Sequence, residues 1–163
     1  MLSVDGVHCR IQEPKHPTES KDSTYYSHKF RQSGLDYELG IAAFENKLVW
    51  MNGPFKAGRH DITIFRRAGL KDKIPPGHRV IADNGYKGEA LVVSTPNSHD
   101  PTILRKFKSR ARARHESFNG RIKNFKCLED RFRHGIIKHQ IVFEAVCVIC
   151  QYQLENGSPL FDA

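Results

Sequence analysis

The chain has 163 residues, 39% of them apolar and 27% charged, with a formal net charge of +8 and nine histidines besides. That is enough for one domain with a proper core and too little for two comfortable ones. The composition excludes a disordered chain, no apolar run is long enough to cross a bilayer, no signal-peptide pattern opens the sequence, and four cysteines are too few for a disulfide framework. A protein that is neither secreted nor membrane-bound, in a reducing compartment, is therefore expected.

In chain order, "LSVDGVHCRI" alternates like a strand, with a glycine in its middle. The polar, proline-bearing "EPKHPTESKDS" reads as an exposed loop. "LDYELGIAAF" and "KLVWMNGPF" read as paired strands joined by the turn "ENK". "GRHDITIFRRAGL" shifts to a helical period, with Asp61 as its N-cap. Two prolines in "KDKIPPGH" break that helix, and residues 79–83, "RVIAD", read as a buried strand ending on an acid. An Asn-Gly follows Asp83 and would suit a hairpin, but the next residues, "YKGEA", have little strand character. "LVVSTP" adds a strand or covers an edge.

From Pro101 the pattern is helical for a long way. Ala111, His115, Phe118, Ile122, Phe125 and Phe132 recur at helical spacing and define one apolar stripe, with Gly120 inside it. "IVFEAVCVICQYQL" reads as a second apolar helix buried against the sheet, and residues 156–163 as a frayed tail after a domain of residues 1–155. Strands, helix, strand, then helices argue for an α/β fold, a mixed sheet with helices packed on its faces.

The positive charge is concentrated. Between Arg105 and Arg133 there are eleven Lys or Arg against Glu116, Glu129 and Asp130, a difference of eight that equals the net charge of the whole chain. A run of that kind suits a phosphate backbone, and Arg110, Arg112, Arg114 and Lys123 are the expected contacts. The phenylalanines between them have core periodicity and are not expected to stack on bases.

Three acids stand at element ends: Asp5 before Gly6, Asp83 at the end of its strand, and Glu116 on the basic helix. Glu116 lies roughly 160° around that helix from Phe118, away from the apolar stripe. Hard cations such as Mg²⁺ take carboxylate oxygens, and a pair of them serves phosphodiester chemistry. Singly, each acid also suits a plainer role, as a turn former or a solvated helix residue.

Four blocks add a resemblance. "SVDGVHCRIQEP", "GPFKAGRHDITIFRR", "VIADNGYKGE" and "RARHESFNGRIKNFKCLEDRF" resemble, in order, the conserved blocks of Harbinger-type DDE superfamily endonuclease and transposase domains. The match runs from residue 3 to about residue 150. It implies a ribonuclease H-like fold and a DNA endonuclease or transposase domain. Asp5, Asp83 and Glu116 would be its catalytic acids and the ligands of two divalent ions, Mg²⁺ or Mn²⁺. Phosphodiester hydrolysis, with strand transfer as a further capacity, is the implied reaction.

Val7 stands where the family usually has Thr. The upstream helical DNA-binding region of family members is not part of this sequence, so a separate accessory protein would supply that function, and a nuclear location follows if the source is eukaryotic. The alternative is a catalytically inactive DNA-binding protein derived from a transposable element.

Two smaller features remain. Asp61, if not simply the helix cap, would support the metal site from behind its ligands. Cys147 and Cys150 form a Cys-x-x-Cys inside an apolar helix, where small buried side chains are expected rather than zinc.

Overall fold

The computed structural model describes residues 1–13, 22–67 and 69–163. The loop expected at residues 13–23 lies largely outside them. β1 (Leu2–Arg10), β2 (Tyr26–Ser27), β3 (Gln32–Ala42) and β4 (Leu48–Lys56) are followed by α1 (Asp61–Arg67), β5 (Val80–Ile81), β6 (Val93–Ser94), α2 (Thr102–Lys123), α3 (Lys126–Glu129) and α4 (Ile136–Glu155). The sheet runs β2-β3-β1-β5-β6, with β4 also on β3. β1, β3 and β4 are antiparallel, whereas β5 and β6 are parallel to β1. This is the ribonuclease H-like mixed sheet that the sequence suggested.

Alternation along β1 and β3 sets the two faces. Their register is unbroken from Leu2 opposite Ala42 to Arg10 opposite Gly34. One face presents Val7, Cys9, Leu35, Tyr37, Leu39 and Ile41 to Phe118 and Ile122 of α2 and to Phe143, Val146, Cys147 and Cys150 of α4. Tyr37 stacks on Phe143 at 3.6 Å between centroids, and its hydroxyl meets His139 Nδ1 at 2.8 Å. The other face is covered by α1 and the turn after β5, where Val4, Phe65, Leu70, Ala82 and Tyr86 form a smaller core.

Three expectations are corrected. The strand at 79–83 is only the two residues of β5, paired in parallel on both sides, so Asn84-Gly85 closes no hairpin. The long helix stops at Lys123, short of the last two members of the stripe. Phe125 is extended and precedes α3, and Phe132 lies beside Ile11 in an isolated parallel bridge. Apolar spacing reports which residues reach the core, and a turn followed by a bridge satisfies it as well as a helix does.

The tail is not frayed. Leu160 is buried, and its amide donates to Asn46 Oδ1 at 2.9 Å. Arginines of α2 take the neighbouring carbonyls: Arg121 those of Ser158 and Pro159, Arg114 that of Phe161, Arg110 that of Asp162. The terminal segment is a strap across α2.

Candidate active site

The site forms where two parallel strands part. β1 and β5 pair only at Ser3 opposite Ile81; β1 then runs on while the other chain turns away at Asp83. Asp83 is the cap of that turn, its Oδ1 accepting from the Gly85 amide at 2.7 Å. The turn-forming role and the acid that follows the strand are thus one arrangement.

Asp5 lies two residues beyond the Ser3–Ile81 pair, on the α2 face. Its Oδ1 accepts from the Gly6 amide at 2.9 Å and its Oδ2 from Asn119 Nδ2 at 3.0 Å. Glu116 projects from α2, exposed as its helical phase predicts. Asp5, Asp83 and Glu116, with Ser3, Arg112 and His115, line one small cleft. Burial pushes the Asp5 carboxyl up to about 7; the Gly6 amide opposes this, and Glu116, Asp83 and Asp61 add to it.

Asp61 is the first residue of α1, and the amides of Thr63 and Ile64 go to the His60 carbonyl, so the cap position falls one residue earlier. The Asp61 carboxylate faces Gly6 and Gly85 instead. A Cβ on Gly85 would stand 2.6 Å from Asp61 Oδ2 and 2.9 Å from Asp83 Oδ1. Burial raises its pKa, Lys29 opposes that, and Asp83 and Asp36 reinforce it. The expectation of a side-chain cap is therefore corrected: the acid turns towards the other carboxylates.

Three participants escaped the sequence reading. Asn119 holds Asp5; its sign was a buried amide one helical turn beyond His115. Glu38, opposite Gly6 in the register, is 1% exposed, with Oε2 on Trp50 Nε1 at 3.0 Å and Oε1 without a hydrogen-bond partner. Burial lifts its carboxyl to about 7, partly offset by Trp50 and reinforced by Asp61. His115 lies behind the cleft, bonded through Nδ1 to Ser3 Oγ at 2.9 Å, and burial depresses its pKa to about 3, so it is neutral.

The basic residues divide. Arg112 lines the cleft and, together with Arg105, lines a neighbouring groove past Pro96, Asn97 and Ser98. Arg105 was not among the expected contacts. Arg110 is exposed, but it grips the strap and lies 5.6 Å from the Phe161 ring. Arg114 and Lys123 correct the expectation of surface contacts. Arg114 is 3% exposed and binds the carbonyls of Ala42, Glu45 and Phe161. Lys123 is half-buried and donates to the carbonyls of His8 and Leu128. The carbonyls left unpaired where β1 ends, helices turn and the tail arrives need donors, and these two side chains supply them.

Among the described residues no three His, Cys, Asp or Glu side chains stand in metal-coordinating geometry. The donor set nevertheless fits hard divalent cations. Carboxylates from three segments converge on one cleft, and one of them resists ionising because of burial and its acidic neighbours, a stress that a cation relieves. Cys147 and Cys150 are buried free thiols in α4, with pKa values raised by burial. No helix among the described residues is long and apolar enough to cross a membrane.

A family model described as DDE superfamily endonuclease matches residues 4–151. No curated protein and no solved structure matches the chain.

Proposed function

The chain belongs to the DDE superfamily of endonucleases, and from that premise we propose that it cuts DNA phosphodiesters at the cleft between β1 and β5. Asp5, Asp83 and Glu116 are the ligands for two Mg²⁺ or Mn²⁺ ions. Ions of this kind, when bound, supply Lewis-acid stabilisation of phosphate oxygens and a water that is nucleophilic at neutral pH. What carries the reading is that acids from three distant segments line one cleft beside an arginine.

The chain's own residues have separable tasks. Asn119 and the Gly6 amide fix the Asp5 carboxylate in one rotamer, and the Gly85 amide fixes Asp83. Glu116, on a helix rather than a strand, can swing towards them without moving the sheet. Arg112 pairs with a phosphate oxygen of the strand, and Arg105 with one further along the same groove. Asp61 is a positioning residue: it restricts where Asp83 can stand. In the hydrolysis, a water oxygen bonds to phosphorus as the bond from phosphorus to the 3′ oxygen breaks, leaving a 3′-hydroxyl. Strand transfer uses that hydroxyl in place of water.

The test is nicking of supercoiled plasmid by the purified chain in Mn²⁺, with affinity for a labelled duplex read by anisotropy in Ca²⁺. Asp83→Ala is expected to abolish nicking and leave affinity within a factor of about two. A wild-type chain that binds the duplex without nicking in Mn²⁺ would replace this reading with the non-catalytic DNA-binding alternative, and nicking unchanged in the variant would overturn the role given to Asp83.

A further inference from the structure

α4 has two apolar faces, and the fold uses one. His139, Phe143, Val146, Cys147, Cys150 and Leu154 are buried against the sheet. On the opposite side Ile137, Ile141, Val148 and Tyr152 are 78%, 60%, 68% and 65% exposed, with Ala145 exposed between them. At helical spacing these five positions fall within about 80° of arc. Soluble helices ordinarily turn charge outwards here, and a contiguous apolar stripe marks a contact surface.

The geometry points to a second copy of this chain as the occupant, its α4 packed antiparallel on the first. Three observations favour that partner. The stripe is symmetric about its own midpoint: Ile137 and Tyr152 lie equally far from the Glu144–Ala145 bond, and so do Ile141 and Val148. An antiparallel twofold therefore sets Ile137 on Tyr152 of the other copy and Ile141 on Val148, large against large, with small Ala145 beside the axis, level with Glu144 of the other copy. The charges also agree, since the same operation opposes the two helix dipoles and brings Glu155 of one copy to the N-terminal end of the other's α4, which follows Arg133 and His134 in the chain. Finally, burying the stripe in both copies removes on the order of 1,200 Å² from water, the lower bound for a specific interface. Glu144, on the flank of the stripe, is already bonded by Gln140.

The pairing is tested by sedimentation of the intact chain between about 1 µM and about 200 µM. The mass is expected to rise from 18.7 kDa towards twice that value across the range. Ile141→Glu with Val148→Glu should remove the rise while circular dichroism and Tm stay unchanged, because both side chains are exposed. Orientation is read by cysteine cross-linking after the exposed Cys127 is replaced by Ser. Ala145→Cys is expected to cross-link with itself. Ile137→Cys is expected to do so poorly alone and well when mixed with Tyr152→Cys. A wild-type chain that stays monomeric throughout overturns the proposal, whatever else covers the stripe. So does a dimer that survives the double Glu variant, or one in which Ile137→Cys alone cross-links best.

Discussion

On the side of the sheet covered by α2 and α4, β1 and β3 present Val7, Cys9, Leu35, Tyr37, Leu39 and Ile41, all buried in one continuous core. On the side covered by α1, the same two strands present Gly6, His8, Asp36 and Glu38. His8 Nδ1 and Asp36 Oδ1 meet at 2.8 Å, but His8 Nε2 and Glu38 Oε1 are buried with no hydrogen-bond partner. One face accounts for most of the apolar burial; the other holds charge out of water at a cost. Asp5 belongs by register to the first face, at the point where that face runs out of carbon and Asn119 replaces phenylalanine as the neighbour. The site stands where a rigid face and an electrostatically stressed one meet. Positional precision comes from the first, and buried, imperfectly satisfied charge from the second.

The largest test of this contrast is Phe143→Ala, which removes the ring stacked on Tyr37. It is expected to cost about 3–5 kcal/mol in denaturant unfolding, and the folded fraction should bind DNA as before. A loss below about 1 kcal/mol would break the claim that this face supplies the stability.

Next in size is Gly85→Ala on the other side. The new Cβ would intrude between Asp61 and Asp83, and a displacement of that order is expected to cut nicking by about 10²-fold with only a small change in Tm. Equal loss of stability and activity would mean that the turn is merely structural.

Arg114→Ala sharpens the contrast within α2. Buried carbonyls of Ala42, Glu45 and Phe161 lose their donor, for a cost of about 1–3 kcal/mol in stability. DNA affinity at constant salt should not move, whereas Arg112→Ala should weaken it and lower the salt slope by about one.

The smallest effect is a gain. Glu38 titrates at about 7 in the folded chain against an ordinary 4.5. Between those values the folded state holds a proton that the unfolded state has released, so stability falls as pH rises through the window. Asp5, also raised to about 7, adds the same slope. His115 and His139 oppose it, because burial lowers them to about 3 and about 4, and their contribution is lost as pH falls below 6.5. Glu38→Gln should therefore raise Tm by a few degrees at pH 7 and by almost nothing at pH 4.5, read as a difference from wild type in thermal scans.

Much of this was legible in the sequence where a residue's role depends on near neighbours. The strand pair around "ENK", the helix starting near Asp61, the phase of Glu116 and the turn at Asp83 just after β5 all follow from local spacing. Glu38 was not legible, because an acid alternating with Leu35, Tyr37 and Leu39 looks solvent-facing until α1 is known to cover that side. Charge was the poorest guide. Eleven cations in one segment suggested a single surface, yet Arg110, Arg114, Arg121 and Lys123 are engaged by main-chain oxygens of the protein itself. Which carbonyls lack partners is a property of the folded chain, and no count of residues reveals it.

The strap over α2 has a consequence for how this chain can vary. Arg110, Arg114 and Arg121 grip it through carbonyl oxygens, which every amino acid carries. Apart from Leu160, whose side chain is buried, the clasp is indifferent to spelling and strict about length. Exchanging Ser158 or Asp162 leaves the oxygens in place, whereas inserting one residue between Gly157 and Leu160 shifts the oxygens past their arginines. Drift in this segment should therefore run through substitution, with insertions and deletions rare.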